Sequence, residues 1–307
     1  MQSILITGGA GYKGVLLAGA LLQRKRRVTI LDNFMYDYQP VLSLADEPHC
    51  TVIKKDIRNL EKNDLQGYDI IYHLAAISGY PACEANPHSA QMINVNSTRS
   101  LAEMLSPAQL LVYASTTSLY GQQEDELDET AVPKPVSLYG VTKYQAETIC
   151  MQRKNSVSLR FATLFGISRK MRLDLLFNDF VYKAFHERSI VLFDAHSVRT
   201  FLHVRDAIQA YLMVLDKADQ MKGQVYNVGS NAMNYSKLEL AQLIKKKLTN
   251  IEIIQTQLED LDKRNFVINY DKINALGFKP TVSAEEGIEE LVRLYSWYKP
   301  NAAFRII

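Results

Sequence analysis

The chain has 307 residues, 35 of them basic and 33 acidic, so its formal net charge is only +2. A chain of this length can bury a full hydrophobic core, as one large domain or two smaller ones. The near balance of charge argues against a nucleic-acid partner. Cys50, Cys83 and Cys150 are widely spaced. They form no metal-binding pattern and indicate a reducing compartment.

No apolar run approaches the roughly 18 residues of a membrane-spanning helix. The first predicted strand begins at residue 3, so we expect no signal peptide. These features predict a cytoplasmic protein without a membrane partner.

The first elements follow the order strand, glycine-rich turn, helix, strand, acid. Residues 3–6 predict a buried strand, and the apolar run 28–31 ends on Asp32. Between them lies a turn with three spaced glycines, Gly8, Gly11 and Gly14. Such a turn lets backbone N–H groups and a helix N-terminus approach a pyrophosphate. An acid at Asp32 can bind the adenosine ribose and would repel a 2′-phosphate, so we expect NAD rather than NADP.

Lys13 stands directly before the third glycine of this turn. An apolar residue normally packs at that position. A lysine there can contact phosphate or face water, and we expect it to face water.

Short apolar runs alternate with helical patterns through the first half of the chain. The predicted strands are Ile4–Thr7, Val28–Leu31, Thr51–Lys54, Ile70–His73, Leu110–Ala114 and Ser156–Phe161. The clearest helical patterns are His88–Leu105 and Leu138–Arg153. Continuous apolar strands alternating with helices predict an α/β fold with a doubly wound parallel sheet of the Rossmann type. Ligands of such sheets bind beyond the carboxyl ends of the strands.

The second half of the chain mixes helical and strand patterns less regularly. Helices are predicted over Leu173–His186, Val204–Asp216, Ser236–Leu248 and Ser283–Tyr298, and strands over Ile190–Phe193 and Gln224–Val228. This mixture predicts a smaller substrate-binding lobe that interleaves with the sheet. We assign 1–161 and 187–228 to an NAD-binding domain, and 162–186 and 229–307 to the lobe. The acidic, proline-containing stretch Gln122–Pro135 predicts a surface loop over the site.

Candidate catalytic residues follow the fifth predicted strand. That strand leads into a run of hydroxyl side chains that includes Thr116, and Tyr139 and Lys143 follow at i and i+4 on one predicted helix. The lysine charge can lower the pKa of the tyrosine, which could then act as a base. A hydroxyl nearby can hold a substrate alcohol during hydride transfer.

Taken together, these motifs resemble those of extended short-chain dehydrogenases/reductases, in the nucleotide-sugar epimerase/dehydratase family, over nearly the whole chain. Three further segments carry the resemblance: Asn94–Thr98, Arg160–Gly166 and His203–Asp206. Ser97 stands where the family usually has glycine, and Thr163 where it usually has asparagine.

The resemblance implies a role for each matching residue. Catalysis would use Thr116, Tyr139 and Lys143. NAD would contact Gly8, Gly11, Tyr12, Gly14, Asp32, Asn33, Asp56, Ile57, Leu74, Ala75, Ala76, Tyr139 and Lys143. A nucleotide-diphospho sugar would contact Thr116, Thr163, Asn178, Arg199 and Arg264. No metal is implied, and paired helices at His88–Leu105 and Leu138–Arg153 would form a homodimer. The run Arg169–Arg172 fits a lobe lining and a solvated loop equally well.

The dehydratase branch of this family needs an Asp-Glu pair directly after the catalytic threonine. Here these positions are Thr117 and Ser118, so 4,6-dehydration is not expected. A closer resemblance is to GDP-heptose 4-dehydrogenases of bacterial capsule polysaccharide pathways. It is carried by residues 161–166, 169–180, 190–193, 199, 203–206 and 262–264. The alternative is an NDP-hexose 4-epimerase with the same residues. A catalytically silent NAD-binding regulatory protein would be expected to lack the Tyr139–Lys143 pair.

Overall fold

The computed structural model describes residues 1–260 and 262–299. The strands are β1 Ser3–Thr7, β2 Arg27–Asp32, β3 Cys50–Lys54, β4 Ile70–His73, β5 Leu110–Thr116, β6 Gln122–Leu127, β7 Ser156–Phe161, β8 Thr163–Phe165, β9 Ser189–Leu192, β10 Val198–His203, β11 Gln224–Val228, β12 Asn234–Ser236, β13 Glu252–Gln255 and β14 Asn265–Ile268. Seven of them form one sheet in the order β11-β7-β5-β4-β1-β2-β3. All neighbours in this sheet are parallel.

Some of the helices cover the two faces of the sheet, and others build the smaller lobe. The helices are α1 Gly14–Gln23, α2 Gln39–Leu42, α3 Tyr80–Ala85, α4 Pro87–Ala90, α5 Ser97–Met104, α6 Leu138–Met151, α7 Leu176–His186, α8 Val204–Met221, α9 Lys237–Lys247, α10 Asp271–Ala275 and α11 Ala284–Tyr295. Among the residues that the structure describes, no helix has the length and apolar character needed to cross a membrane.

Alternating residues of the central strands pack on opposite faces of the sheet. Ile4 and Ile6 of β1 belong to a core that includes residues of α1 and α8. Leu5 belongs to a second core, which includes Leu101 of α5 and Ala146 of α6. Both faces are therefore covered by helices, which explains the continuous apolar strands and confirms the doubly wound prediction.

A third core lies in the smaller lobe. It joins α7, α9 and α11 through residues such as Phe177, Leu240 and Ile288. Strand β9 belongs here: it pairs with β13, and Ile190 and Leu192 pack in this core. The sequence analysis assigned residues 187–228 to the NAD-binding domain. Within that range, β9 packs with the lobe and not with the large sheet.

The structure corrects one further sequence prediction and adds a detail to another. The stretch Gln122–Pro135, expected to be a surface loop, begins with β6, which pairs with β14. The pattern His88–Leu105 is helical as predicted, but a π-helical turn at Gln91–Asn96 joins α4 to α5. Within this turn, Asn94 accepts the N–H of Ile77 at 2.8 Å and donates to Thr142 at 3.1 Å. The irregular turn thus ties the helix to the cleft wall.

Candidate active site

A cleft runs along the carboxyl ends of the central strands, and the glycine-rich turn forms its floor. Gly8 has a φ of +70°, and a Cβ there would lie 2.7 Å from the backbone of Ala75. A Cβ on Gly14 would lie 2.5 Å from the carbonyl oxygen of Gly8. Only glycine fits at these two positions. The chain therefore forms a tight cradle in front of α1, whose N-terminal N–H groups suit a pyrophosphate.

Asp32 ends β2 and faces the same cleft. Its carboxylate accepts the N–H of Ala10 at 3.0 Å and the N–H of Phe34 at 2.9 Å. Burial raises the pKa of Asp32, and these backbone hydrogen bonds oppose that rise. Asp32 therefore stabilises the glycine turn through Ala10 and can also accept a hydrogen bond from a ribose hydroxyl.

The other predicted cofactor residues also line the cleft. Asn33 donates to Asp56 at 3.1 Å, and the Arg58 side chain, which bonds the same carboxylate, holds the pKa of Asp56 below its usual range. The remaining lining residues of this group are Ile57, Leu74, Ala75 and Ala76. The predicted dinucleotide-binding residues are thus brought together, and they fit NAD.

Lys13 does not face water, as the sequence led us to expect. Its side chain is half-buried and lines the cleft, with Nζ 4.4 Å from the centre of the Phe161 ring. Burial, together with the smaller effects of the Lys143 and Arg172 charges, lowers the pKa of Lys13 to about 7. The Tyr211 ring, which packs against Phe161 with 4.9 Å between the ring centres, lies 5.8 Å from the same ammonium.

Of the three candidate catalytic residues, Thr116 and Tyr139 line one end of the cleft, and Lys143 is buried one helical turn after Tyr139. Thr116 ends β5, and its hydroxyl accepts the N–H of Ser118 at 3.1 Å. Tyr139 lies in the first turn of α6, which begins where Ser137 caps the N–H of Gly140 at 3.1 Å. Tyr139 and Thr116 line the same end of the cleft, and the Thr116 hydroxyl is near enough to the phenol to lower its pKa. Base and hydroxyl therefore face one position in the cleft, as hydride transfer from an alcohol requires.

Burial raises the pKa of Tyr139 above its ordinary value. Hydrogen bonds from Ser78 and Thr116 and the charge of Arg172 lower it. We expected the charge of Lys143 to lower the pKa of Tyr139, but Lys143 is not among the main influences on that pKa. Burial outweighs the other influences on this phenol.

Lys143 lies one helical turn after Tyr139 and is almost fully buried. Its Nζ is 4.1 Å from the centre of the Tyr113 ring. Burial lowers the pKa of Lys143 to about 8. The lysine is therefore a buried group against the Tyr113 ring, and it loses its proton more readily than an exposed lysine.

Two site residues, Ser78 and Arg172, were not identified from the sequence. Arg172 lines the cleft and donates from Nη1 to Ser78 Oγ at 3.1 Å, and it also pairs with Asp174. The Ser78 hydroxyl in turn lowers the pKa of Tyr139. The run of basic residues at 169–172 was the available signal, but a solvated loop explained it equally well.

The segment from residue 166 to residue 175 passes over the cleft; we call it the strap. The Tyr12 hydroxyl donates to the carbonyl of Gly166 at 2.7 Å, and Ser168 Oγ donates to the carbonyl of Tyr12 at 2.7 Å. At the adenosine end, Lys170 Nζ lies 5.6 Å from the centre of the Tyr36 ring. The strap is thus anchored on the glycine turn and reaches both ends of the cleft.

Arg264 and Thr163 line the cleft on the lobe side. Arg264 donates from Nη1 to Ser118 Oγ at 2.5 Å, and its other nitrogens pair with Asp262. The guanidinium is thus held at the cleft wall by Asp262 and Ser118.

Two predicted substrate residues are not brought to the cleft. Arg199 is 2% exposed and donates to the backbone carbonyls of Asp262 and Arg264. Asn178 is fully buried, accepts the N–H of Gly166 at 3.0 Å and donates to the carbonyl of Arg172 at 2.9 Å. Their polar atoms are used by the backbone, so Arg199 supports Arg264 and Asn178 shapes the strap.

A dinucleotide cleft that ends at a buried tyrosine, threonine and lysine is the arrangement of a nicotinamide-dependent oxidoreductase. Residues 4–229 match the NAD dependent epimerase/dehydratase family. The chain belongs to this family, and its cofactor is NAD.

Relatives of known description are similar over nearly the whole chain. The sequence is 31% identical to an uncharacterized UDP-glucose epimerase, YtcB, of Bacillus subtilis, over 97% of this chain and 99% of that one. It is 26% identical to UDP-glucuronate 4-epimerase 4 of Arabidopsis thaliana, over 96% of this chain and 76% of that one. The structure is similar to that of UDP-glucuronic acid 4-epimerase from Bacillus cereus with UDP-glucuronic acid and NAD: TM-score 0.87, 26% identity, covering 96% and 99% of the two chains.

Proposed function

We propose that this enzyme inverts C4 of a UDP-linked sugar. The observation that carries the proposal is the composition of the reacting end, where hydroxyls and cations surround Tyr139 and where, among the residues that the structure describes, no carboxylate lines the cleft. Among the residues that the structure describes, the cleft-lining carboxylates are Asp32, Asp37 and Asp56. All three follow or neighbour β2 and β3, at the adenosine end.

Each residue has a defined part in this reaction. Tyr139 takes the proton from the sugar O4, and the Thr116 hydroxyl holds that oxygen. NAD, when bound, accepts a hydride from C4 and can return it. If the keto sugar presents its other face before the return, Tyr139 gives the proton back and the C4 configuration is inverted. Arg264 balances charge on the substrate diphosphate.

The absence of an acid at the reacting end argues against dehydration. Loss of the 6-hydroxyl needs a proton donor beside it. Thr117 donates to the carbonyl of Phe161 at 3.3 Å, and Ser118 Oγ lies between Thr116 and Arg264. Neither side chain is acidic enough to protonate a departing hydroxide at neutral pH.

The strap supports epimerisation over net dehydrogenation. A dehydrogenase must release its reduced cofactor or pass electrons on after each turnover, whereas an epimerase returns the hydride to its own substrate. The strap is fixed by Tyr12, Ser168 and Arg172 to the opposite wall of the cleft. A cofactor held under such a segment is well suited to a reaction with no net redox change.

The competing hypothesis is a 4-dehydrogenase that acts on GDP-heptose, which was the first choice from the sequence. It rests on similarity at segments between residues 161 and 264, whereas the relatives described above are UDP-sugar epimerases. The two reactions differ in whether the keto sugar leaves.

We also propose a homodimer. The segments 88–105 and 138–153 would pair with their copies in a second chain. This assignment comes from the family resemblance, and the oligomeric state in solution tests it.

The function is tested by incubating the purified protein with a panel of UDP-, GDP- and dTDP-linked sugars. Product mass is read by mass spectrometry and C4 configuration by NMR. We expect unchanged mass with inverted C4 for a UDP-sugar. A loss of two daltons from a GDP-sugar would instead support the dehydrogenase, and a loss of eighteen would contradict both.

A further inference from the structure

Lys13 is the cleft residue that the proposed reaction leaves unused. It belongs to the glycine turn, yet its ammonium extends to the Phe161 ring, 4.4 Å from the ring centre. Phe161 ends β7 and is the register partner of Thr116 on β5. The Lys13 ammonium therefore lies toward the reacting end of the cleft and not under the adenosine.

The charged groups that act most strongly on this ammonium are of one sign. Among the described residues, they are Lys143 of α6 and Arg172 of the strap, and both lower the Lys13 pKa. The groups that pack against it, Phe161 and Tyr211, are aromatic rings. Arg172 is paired with Asp174, but no carboxylate is among the main influences on Lys13 itself, which lies in a partly desolvated site where charges interact strongly.

The two forms of the cofactor differ in charge at the nicotinamide. The oxidised ring is a cation and the reduced ring is neutral, whereas the pyrophosphate is the same in both. Hydride is exchanged beside Tyr139 and Thr116, so the nicotinamide must reach the end of the cleft where Lys13 lies. A nearby ammonium then disfavours the oxidised ring and leaves the reduced ring unaffected.

We infer that Lys13 determines the relative affinity of the site for reduced and oxidised cofactor, favouring NADH over NAD. The inference rests on the proposed function only in placing hydride exchange at Tyr139. It makes Lys13 a specificity-determining residue, which stabilises the state of the enzyme that holds the keto sugar.

The experiment measures which cofactor the protein retains. Purified protein is exchanged against equimolar NAD and NADH in excess, passed through a desalting column and denatured, and the released cofactors are quantified by chromatography. Lys13→Met keeps the length of the side chain and removes the charge. We expect the bound NADH-to-NAD ratio to fall about tenfold in Lys13→Met relative to the wild type at low pH. Lys62→Met, which removes an exposed lysine, should leave the ratio unchanged.

The pH dependence adds a second readout. Lys13 is charged below its pKa of about 7 and loses its proton above it. The difference between wild type and Lys13→Met should therefore be large at about pH 6 and small at about pH 8.5. Lys143 also titrates in this range, and it is present in both proteins, so their difference isolates Lys13. Lys13→Arg should keep a high ratio at both pH values.

Competition with ADP-ribose separates the nicotinamide from the pyrophosphate. If Lys13 bound only phosphate, Lys13→Met would weaken ADP-ribose, NAD and NADH equally, and the ratio would not change. An unchanged ratio at pH 6 in Lys13→Met overturns the inference. It would leave the proposed function intact, because that function is tested on sugars. Conversely, a protein that inverts no sugar but shows the Lys13-dependent ratio would lose the function and keep this inference.

Discussion

Arg172 donates a hydrogen bond from Nη1 to the hydroxyl of Ser78, 3.1 Å away. Ser78 follows β4 of the large sheet and Arg172 belongs to the strap, so this contact joins the two sides of the cleft. Ser78 and Arg172 each lower the pKa of Tyr139. The guanidinium thus acts on the candidate base through its charge and positions the Ser78 hydroxyl that also acts on it.

Replacing Arg172 should move the pH dependence of the reaction. The pKa of Tyr139 is already raised by burial, and Arg172 opposes that rise. A base must lose its proton to act, so activity increases as pH rises through this pKa. Without the guanidinium charge, the rising limb of kcat/KM in Arg172→Met should shift to higher pH.

The control is Arg169→Met, which removes an exposed arginine three residues away. Arg172→Lys, which keeps the charge, should restore part of the shift. A pH profile of Arg172→Met that overlays the wild type would show that Arg172 does not tune Tyr139.

Removing the Tyr139 hydroxyl should abolish turnover and spare cofactor binding. Tyr139→Phe keeps the ring but loses the group that exchanges a proton, which typically contributes about 10²–10⁴-fold in rate. Turnover is followed by NMR of the sugar, and bound NAD by its release on denaturation. Tyr144→Phe, on the same helix, should be close to wild type. Near-normal turnover in Tyr139→Phe would refute its role as the base.

Asp32 should set the preference for NAD over NADP. Its carboxylate would repel a 2′-phosphate, so Asp32→Asn is expected to reduce the ratio of the two affinities about tenfold. The turn is also held by Asp32 through Ala10, so NAD affinity should fall too. Affinities are measured by competition, with exposed Asp46→Asn as control. Tighter wild-type binding of NADP than of NAD would contradict this role for Asp32.

A buried ion pair behind the site should matter for stability. Glu147 of α6 and Arg160 of β7 are joined at 2.7 Å, and Ser158 donates to the same carboxylate at 2.8 Å. Removing one partner leaves a buried charge uncompensated, which costs about 3 kcal/mol or more. Glu147→Gln should therefore lower the denaturant midpoint clearly. The exposed Glu103→Gln should not. Equal midpoints for the two variants would show that the pair is energetically neutral.

The oligomeric state tests the predicted pairing of helices. Sedimentation velocity at micromolar concentration should give a species near twice the chain mass of 34.9 kDa. A single species at the chain mass, unchanged with concentration, would rule out the homodimer.

The sequence predicted what depends on local pattern. The glycine turn, Asp32 and the Tyr139–Lys143 spacing each follow from short-range geometry, and the central strands are apolar because both faces are buried. Contacts between distant segments were not visible. β6 pairs with a strand more than a hundred residues later, and the side chain of Arg199 turned out to support Arg264 instead of the ligand. The side chain of Lys13 lies in the cleft beside Phe161 of β7 and Tyr211 of α8. Because these residues are distant in sequence, the local pattern around Lys13 could not predict this position.

The measurement that tests the central claim most directly uses a UDP-sugar carrying deuterium at C4. An epimerase removes the label from C4 and returns it to the opposite face, so we predict a C4-inverted product of unchanged mass with the deuterium still at C4. A product that has lost the deuterium and become a stable 4-keto sugar, or one in which it has moved to C6 with loss of water, would contradict the account.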